Sequence, residues 1–568
     1  MALSAALHIG QTGLLASQAA LEVVGNNLAN LATPGYHRQS VNLAPSPSQE
    51  IQKGVFAGRG VQLQSIVRRI DEALEARLRG SIASQSYSLA RQELLGQLEA
   101  IQNEFTDSDI SSKLSDFFNA WSGLANNPTD LSLRTLVSSE AQTLSRLIQR
   151  VRSELSNQRS QADRSAASIT EQVNSLLNRI EGLNSRISSH DGRTNRSTGL
   201  RDQRDLLLGE LGQYLDISTL EHHSGELDIF VGSRPIILNG DSRGVDLRFV
   251  PINGEIDIEL VVDKDKSPLD LSSGKLGAIV SFRKQDLAEA INALDTFANE
   301  LAFQVNRLHS QGQGTQLFDN VTGSVQLNDA TLALTDPALD LDFTPTHGSF
   351  LIHVTNKTTG ERVATTISID LDGINPAMDT TLTSLAADLD AVENITTSVT
   401  TDHRIQIASG GGDYQISFSE DSSNVLASLG INTFFVGGQA HELDVNPTLI
   451  HQPMLIAAAL DHMPGDNRTS LAIAALRDQV NRTFGGSSIN GFWNRHVSDF
   501  ATRLAQAKDQ VEADSVVRDN LEAQKASVSG VNVDEEAISL LQFQRAYQAN
   551  ARFISVVDEL YQTLLTLV

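Results

Sequence analysis

The chain of 568 residues contains no cysteine. That absence excludes a disulfide framework, a thiolate metal site and a cysteine nucleophile. Aromatic residues are also scarce, 5% against 40% hydrophobic residues overall, a balance that suits helical seams of Leu, Ile, Val and Ala better than one thick globular core. Basic residues are few, with 43 Lys plus Arg facing 69 Asp plus Glu for a net charge of −26. A polyanion gains nothing from phosphate contacts, which argues against nucleic acid and anionic membrane as partners. No run approaches the roughly 18 uninterrupted apolar residues of a membrane span, so no membrane insertion is expected. The N-terminus lacks the basic segment of a secretory signal: no Lys or Arg precedes Arg38, and Gln11, Gln18 and Glu22 interrupt any apolar stretch. Export, if it occurs, is expected to use a route that cleaves no such signal. At this length two to four domains are expected.

Catalytic signatures are missing as well. No HExxH or GxSxG occurs, and SGGGD at 409–413 lacks a phosphate-loop lysine and reads as a turn between strands. Asp263 and Asp265 open like a calcium loop, but Pro268 stands where that loop needs glycine and Gly274 where it needs a bidentate Glu. His222 and His223 are adjacent, so in a strand they point to opposite faces and cannot chelate together. No catalytic residue, cofactor site or metal ligand is assigned, and the chain is read as non-enzymatic.

What is present is heptad periodicity. Leu3, Leu7, Gly10, Leu14, Ser17, Leu21, Val24, Leu28 and Leu31 fall in one 4-3 register, the signature of a supercoiling seam. Near the other end Leu540, Phe543, Tyr547, Asn550, Ile554, Val557, Tyr561, Leu564 and Val568 repeat the pattern with one amide in the row. Two such seams at opposite ends of the chain favour their pairing. The first helix closes with NNLANLATPGYHR, residues 26–38. Asn26 and Asn30 share a face, Asn27 lies beside the seam, and amides weaken a helix while supplying donors and acceptors. Thr33 precedes Pro34 and is pushed out of the helical region, and Gly35, before Tyr36, is free to take a positive φ. Local reasoning leaves two readings of this stretch, a frayed helix end or a place where helices of different molecules register.

The middle of the chain is equally patterned. Val137, Ala141, Leu144, Ile148, Val151, Leu155, Gln158, Ala162, Ser165, Ile169, Val173, Leu176, Ile180, Leu183 and Ile187 keep one register, a rod of roughly 75 Å. Pro128 reads as the stop before it and Thr129 as its cap region. Phe500, Leu504, Ala507, Val511 and Leu521 mark a second long helix expected to pack against that rod. ELDIFVG alternates as a strand, and LRFVPINGEIDIELVV carries Asn253-Gly254 between two alternating strands, a hairpin signal. A helix is expected near 283–309. SFLIHVTNKTTGERVATTISIDL and RIQIASGGGDYQISFS both read as hairpins around a short helix near 383–392. Residues 336–446 carry 16 Asp or Glu against 3 Lys or Arg, the mark of a solvent-facing β domain inserted in a helical framework.

NNLANLATPGYHRQSV resembles the N-terminal motif of the rod, hook and hook-associated axial proteins of the bacterial flagellum, and SLLQFQRAYQANARFISVVDELYQTLL (539–565) resembles their C-terminal motif. FFNAWSGLANNPTDLSLR (117–134), GLRDQRDLLLGELGQYLDI (199–217) and VSGVNVDEEAISL (528–540) are similar to the hook-associated branch of that family. The likeness is dense over 1–235 and 480–568 and weak over 325–440. It implies a structural subunit at the junction of hook and filament, extracellular, required for filament assembly and exported unfolded by the flagellar type III apparatus with an uncleaved signal. The implied partners are a ring of like subunits, the hook protein, a second hook-associated junction protein, and an export chaperone at the C-terminal helices. The implied assembly residues are Leu14, Leu21, Leu28, Asn26, Asn27, Asn30, Pro34, Gly35, Tyr36, Tyr547, Asn550, Ile554, Tyr561 and Leu564. Another axial subunit, hook or distal rod, and a cytoplasmic coiled-coil scaffold are the competing readings.

The expected architecture is α+β: terminal helices paired as a coiled coil, a long antiparallel helical rod built from both chain ends, and inserted β-rich outer domains. The expected boundaries are 1–40 with 530–568 for the coiled coil and 41–215 with 485–529 for the rod. A mixed β/helical domain is placed at 216–335 with 447–484, and the acidic β-rich insertion at 336–446.

Overall fold

The computed structural model describes residues 2–52, 54–102, 109–191, 197–252, 255–375, 378–461, 463 and 465–567. Helix α1 (Ala2–Ala29) gives way to tight turns in which Thr33 donates its amide to Asn30, and Gly35 turns the chain at φ +75°, a conformation side chains with a Cβ rarely adopt. Strands β1 (Gln39–Pro45) and β4 (Val61–Arg68) pair antiparallel with an irregularity after Asn42, and between them β2 (Gln49–Gln52) pairs with β3 (Val55–Ala57). Helices α2 (Glu72–Gln102), α3 (Ile110–Asn126) and α4 (Leu131–Asp191) each start beneath an aspartate. Asp71 accepts the Leu74 amide at 3.0 Å, Asp109 that of Ser112 at 2.6 Å and Asp130 that of Ser132 at 2.7 Å. The cap of α4 is thus Asp130, one residue beyond the expected Thr129.

After α5 (Thr198–Tyr214) come β5 (Ile217–Glu221), β6 (Leu227–Val231), β7 (Arg234–Leu238), β8 (Asp241–Ser242), β9 (Val245–Ile252) and β10 (Glu255–Val262). Helix α6 (Gly274–Ser281) runs through a π-helical turn, Phe282–Leu287, into α7 (Ala288–His309). The helix expected near 283–309 therefore begins earlier. Strands β11 (Asn320–Thr322), β12 (Gly348–Asn356) and β13 (Arg362–Ile369) precede α8 (Leu382–Asp390), and β14 (Ile395–Val399), β15 (Ile405–Ser409) and β16 (Tyr414–Ser419) follow it. Short elements α9 (Val425–Ser428), β17 (Phe435–Val436), β18 (Asp444–Val445), α10 (Pro447–His451) and α11 (Arg468–Ala475) lead to α12 (Ile489–Ser529) and α13 (Val533–Leu567).

The α4 register is the one the sequence dictates: from Val137 to Ile187 its apolar row is buried, except that Ala166 rather than Ser165 takes the inward place. The chain divides into two compact units, the first comprising Met1–Leu94, Gln161–Lys284 and Ala505–Val568. In it α12 lies antiparallel to α2, with Asp514 accepting from Ser88 at 2.8 Å, Arg518 donating to Gln85 at 2.7 Å and Lys525 pairing with Glu75 at 2.9 Å. The sequence reading gave α12 the α4 row as its partner. In this unit that row instead joins a core with α5 and the strands: Val173, Leu177 and Ile180 pack with Leu207, Leu211, Ile229, Ile237 and Ile258. Strands β5-β6-β7-β8 form one sheet, and β9 pairs with β10 in the expected register. The Asn253-Gly254 turn lies outside the described residues.

The second unit comprises Leu95–Ser160 and Gln285–Leu504. Its core explains the FFNAWSGL stretch: on α3, Phe117 and Trp121 pack against Phe434, tilted and edge-on, with ring centroids 6.1 and 5.3 Å away. His309, at the end of α7, lies 5.5 Å from the same ring. The hairpin β12–β13 forms as expected, but RIQIASGGGDYQISFS does not pair with itself. Strand β16 joins the sheet β13-β12-β16, whereas β15 joins β11-β15-β14. Ile405, Ile407, Ile416 and Phe418 are all buried, each pair within its own sheet, and the glycine-rich turn carries the chain between the two sheets. Strand β11, at 320–322, pairs with β15 and so brings the sheet a strand from outside 336–446.

Candidate assembly site at the terminal helices

Helices α1 and α13 lie antiparallel along one another. On α13 the expected row faces inward from Leu540 to Val557, including Tyr547, Asn550 and Ile554, while Tyr561 and Leu564 are exposed; Val568 lies outside the described residues. On α1 the seam keeps Gly10, Ser17 and Val24 of the expected row but turns away from its leucines. Gly10, Ala16, Ser17, Ala20, Val23, Val24 and Asn27 are buried, whereas Leu14, Leu21 and Leu28 are only half-buried. Small residues win because they admit a closer approach. A Cβ on Gly10 would lie 2.7 Å from Ile554, and one on Gly13 2.8 Å from the Asn550 amide. The bulky α13 side chains fill this trough, so the α1 leucines flank it. Leu7, Ile9 and Leu15 of α1, and Leu541, Phe553, Val556, Leu560, Leu564 and Leu565 of α13, remain exposed.

The amides at the end of α1 have distinct tasks. Asn27 is only 1% exposed and is held on both sides of its amide. Its Nδ2 donates to the Gln39 carbonyl at 2.9 Å and to Glu536 at 3.1 Å; its Oδ1 accepts from the Gln39 amide at 3.0 Å and the Tyr36 hydroxyl at 2.8 Å. Asn26 donates to the Tyr36 oxygen at 3.2 Å, and Asn30 donates to the Asn26 side chain at 3.0 Å. Pro34 is exposed, and Gly35 packs beside Leu206 of α5. Burial, with Asp202 and Glu536 nearby, pushes the Tyr36 phenol up to about 12, so it remains a donor. Arg38 completes the clamp through Glu535 at 2.6 Å and Glu536 at 2.7 Å.

Behind this turn sits a buried charge network. His37 Nδ1 meets Asp202 at 2.7 Å and its Nε2 meets Glu75 at 3.4 Å. Arg68 bridges Asp202 at 2.8 Å and Asp205 at 2.6 Å, and Lys525 holds Glu75. One imidazole therefore ties the segment after α1 to α2 and α5, while Lys525 brings in α12. Burial opposes the imidazolium, but the hydrogen bonds to Asp202 and Glu75 prevail and lift the His37 pKa above its ordinary value. Burial likewise opposes the Glu75 carboxylate, yet its bonds to His37 and Lys525 hold it down at about 2. Ligand atoms of His37, Asp202 and Asp205 lie within 4.8 Å of one another, a spacing a metal ion could use. The Arg68 guanidinium already sits against both carboxylates there, so the charge is supplied by the chain.

Elsewhere His222 pairs with Asp228 at 2.8 Å, and the Lys266 ammonium bridges Asp263 and Asp246 at 2.7 and 2.9 Å. Each of these groups has a partner within the fold. The sequence reading missed His37, Arg68, Glu75, Asp202, Asp205, Lys525 and Glu536. The signal lay inside the quoted motifs: His37-Arg38 follows the turn directly, GLRDQRD sets Asp202 and Asp205 three apart on one helical face, and Glu535-Glu536 opens α13.

Residues 95–324 match the family described as the flagellar hook-associated protein FlgK helical domain. Residues 7–37 match the flagella basal body rod protein family, and 523–567 the C-terminal family of the flagellar basal body rod FlgEFG proteins. Flagellar hook-associated protein 1 of Escherichia coli (strain K12) is 26% identical over 577 residues, covering all of both chains. That of Bacillus subtilis (strain 168) is 25% identical over 568 residues, 98% of this chain and 96% of its own. The flagellar hook junction protein FlgK from Burkholderia pseudomallei shares the fold with a TM-score of 0.51 at 16% identity, over 80% of this chain and 100% of that one. Helical-domain match, rod-type matches at both ends and full-length relatives agree: over its whole length the chain is similar to flagellar hook-associated protein 1, a structural protein of the bacterial flagellum.

Proposed function

We propose that the chain is the subunit that joins hook to filament, acting without catalysis. It would reach the site outside the cell through the flagellar type III apparatus, with no cleaved signal. Its contacts there would be copies of itself, the hook protein and a second hook-associated protein, after an export chaperone releases the C-terminal helices. Within this reading the four-part domain scheme, with 336–446 facing outward, is retained as a proposal.

One observation carries it. The α1–α13 pair spends its small residues on mutual contact and leaves Leu7, Ile9, Leu15, Phe553, Val556, Leu560 and Leu564 exposed. Exposed apolar rows on both helices of a pair call for further helices to cover them. Replacing Leu15 and Leu560 together with Ser tests this. Exposed substitutions change stability by only about 0.5 kcal/mol each, so the monomer should melt as before while motility is lost and filament subunits escape into the medium. Normal swimming by this variant would refute the proposed contact surface. Immunogold labelling should give one band between hook and filament; labelling along the whole hook would make the chain a different axial subunit.

A further inference from the structure

The motif FFNAWSGLANNPTDLSLR ends in an arginine whose position is unusual. Arg134 is 2% exposed, and its guanidinium is held by carbonyl groups alone. Its Nη1 donates to the Ile456 carbonyl and its Nη2 to that of Pro128 at 2.5 Å. Among the described residues no carboxylate pairs with it. Two other arginines of the same unit are paired, Arg152 with Asp295 at 3.1 Å and Arg503 with Glu289 at 2.6 Å. A buried cation without a counter-charge is costly, and here burial alone pulls the pKa down to about 10.

Arg134 also lines a cavity of about 260 Å³, together with Thr129, Gly314 and Thr315. Two carboxylates reach this cavity, Asp461 and Asp466, but both are engaged by Arg468 at 2.5 and 3.0 Å. Each Arg134 Nη nitrogen carries a second N–H beyond the one given to a carbonyl, its Nε–H has no partner among the described residues, and Thr129 lines the same cavity. We propose that this cavity is an oxyanion-binding site, whose carboxylate or phosphate ligand supplies the counter-charge that the fold does not. A guanidinium with three N–H groups to spare suits the paired oxygens of such a ligand.

Isothermal titration of the full-length protein at low ionic strength tests this with three probes: inorganic phosphate, glutarate, and a glutamyl peptide blocked at both ends. Saturable one-to-one binding is expected for at least one of them. Phosphate alone would make the ligand a free inorganic oxyanion, while glutarate and the peptide would make it a carboxylate carried by another chain. Arg134→Gln should weaken binding more than tenfold and Thr129→Val several-fold. Thr129→Val leaves the carbonyl contacts of Arg134 intact, so it decides the question should Arg134→Gln fail to fold. The site is overturned if no probe binds saturably, or if a folded variant of either kind binds as tightly as the parent.

Discussion

Asn27→Asp is the sharpest perturbation of the clamp at the end of α1. Asn27 makes four hydrogen bonds, two through Nδ2 and two through Oδ1. Aspartate has nearly the same shape and keeps both acceptor bonds, but it loses the donors to the Gln39 carbonyl and to Glu536. It also sets a second carboxylate against Glu536, which is 1% exposed. Deleting the amide outright, as Asn27→Ala, should cost about 4–5 kcal/mol, taking roughly 1 for each of three neutral bonds and somewhat more for the charged one. Asn27→Asp should equal or exceed this near neutral pH because like charges are then buried together. The loss falls on local opening rather than on the whole molecule. Hydrogen exchange measured by mass spectrometry should therefore speed up by a factor of roughly 10³–10⁴ in peptides covering 20–45 and 530–545, with 137–155 unchanged. Adding Glu536→Gln should restore most of the protection, since the new amide can donate to the aspartate. Equal exchange in parent and Asn27→Asp, or no recovery in the double variant, would refute the clamp.

His309 is fully buried, shares hydrogen bonds with the Asn432 carbonyl and the Ala457 amide, and has its pKa pushed by burial down to about 4. The unfolded chain takes up that proton first. Stability is thus intact above pH 6.5 and falls by about 3 kcal/mol as the pH drops toward 4. Urea unfolding of the second unit across that range should show this slope, and His309→Asn should flatten it. His37 has the opposite sign. Its raised pKa makes its contribution fully present below pH 6.5 and lost as the pH rises through the folded value, so exchange around residues 36–40 should quicken on the alkaline side in the parent and not in His37→Asn.

Periodicity was enough to read the long helices, because a row of apolar residues at 3.5 spacing has one way to be buried. The α4 register from Val137 to Ile187, the inward row of α13 and the β9–β10 and β12–β13 hairpins were all legible in that way. The face of α1 was not. Gly10, Ser17 and Val24 of the expected row are buried there, but its leucines are not, because contact distance favours Gly13, Ala16 and Ala20, and a pattern of hydrophobicity does not weigh closeness of approach. The β15–β16 stretch failed for a related reason: alternation shows that a strand has a buried side, not which neighbour covers it. The charge network around His37 was invisible because its members come from residues 37, 68, 75, 202, 205 and 525. Only the fold brings them to one place, and each alone reads as a surface charge.

The Asn27–Glu536 bond joins residues 509 positions apart. On a ribosome adding about 5–20 residues per second, α1 emerges roughly 25–100 s before the helix that covers its small-residue trough exists. The core that residues 162–183 of α4 form with α5 and the strands up to β10 has its members by residue 279 and can settle meanwhile. For that interval the first thirty residues form a lone helix segment near the limit of stability in water, with Leu7, Ile9 and Leu15 uncovered. The pairing that defines the finished molecule is thus the last to become possible. Anything that must handle the N-terminal segment as an open chain has the whole of synthesis in which to find it.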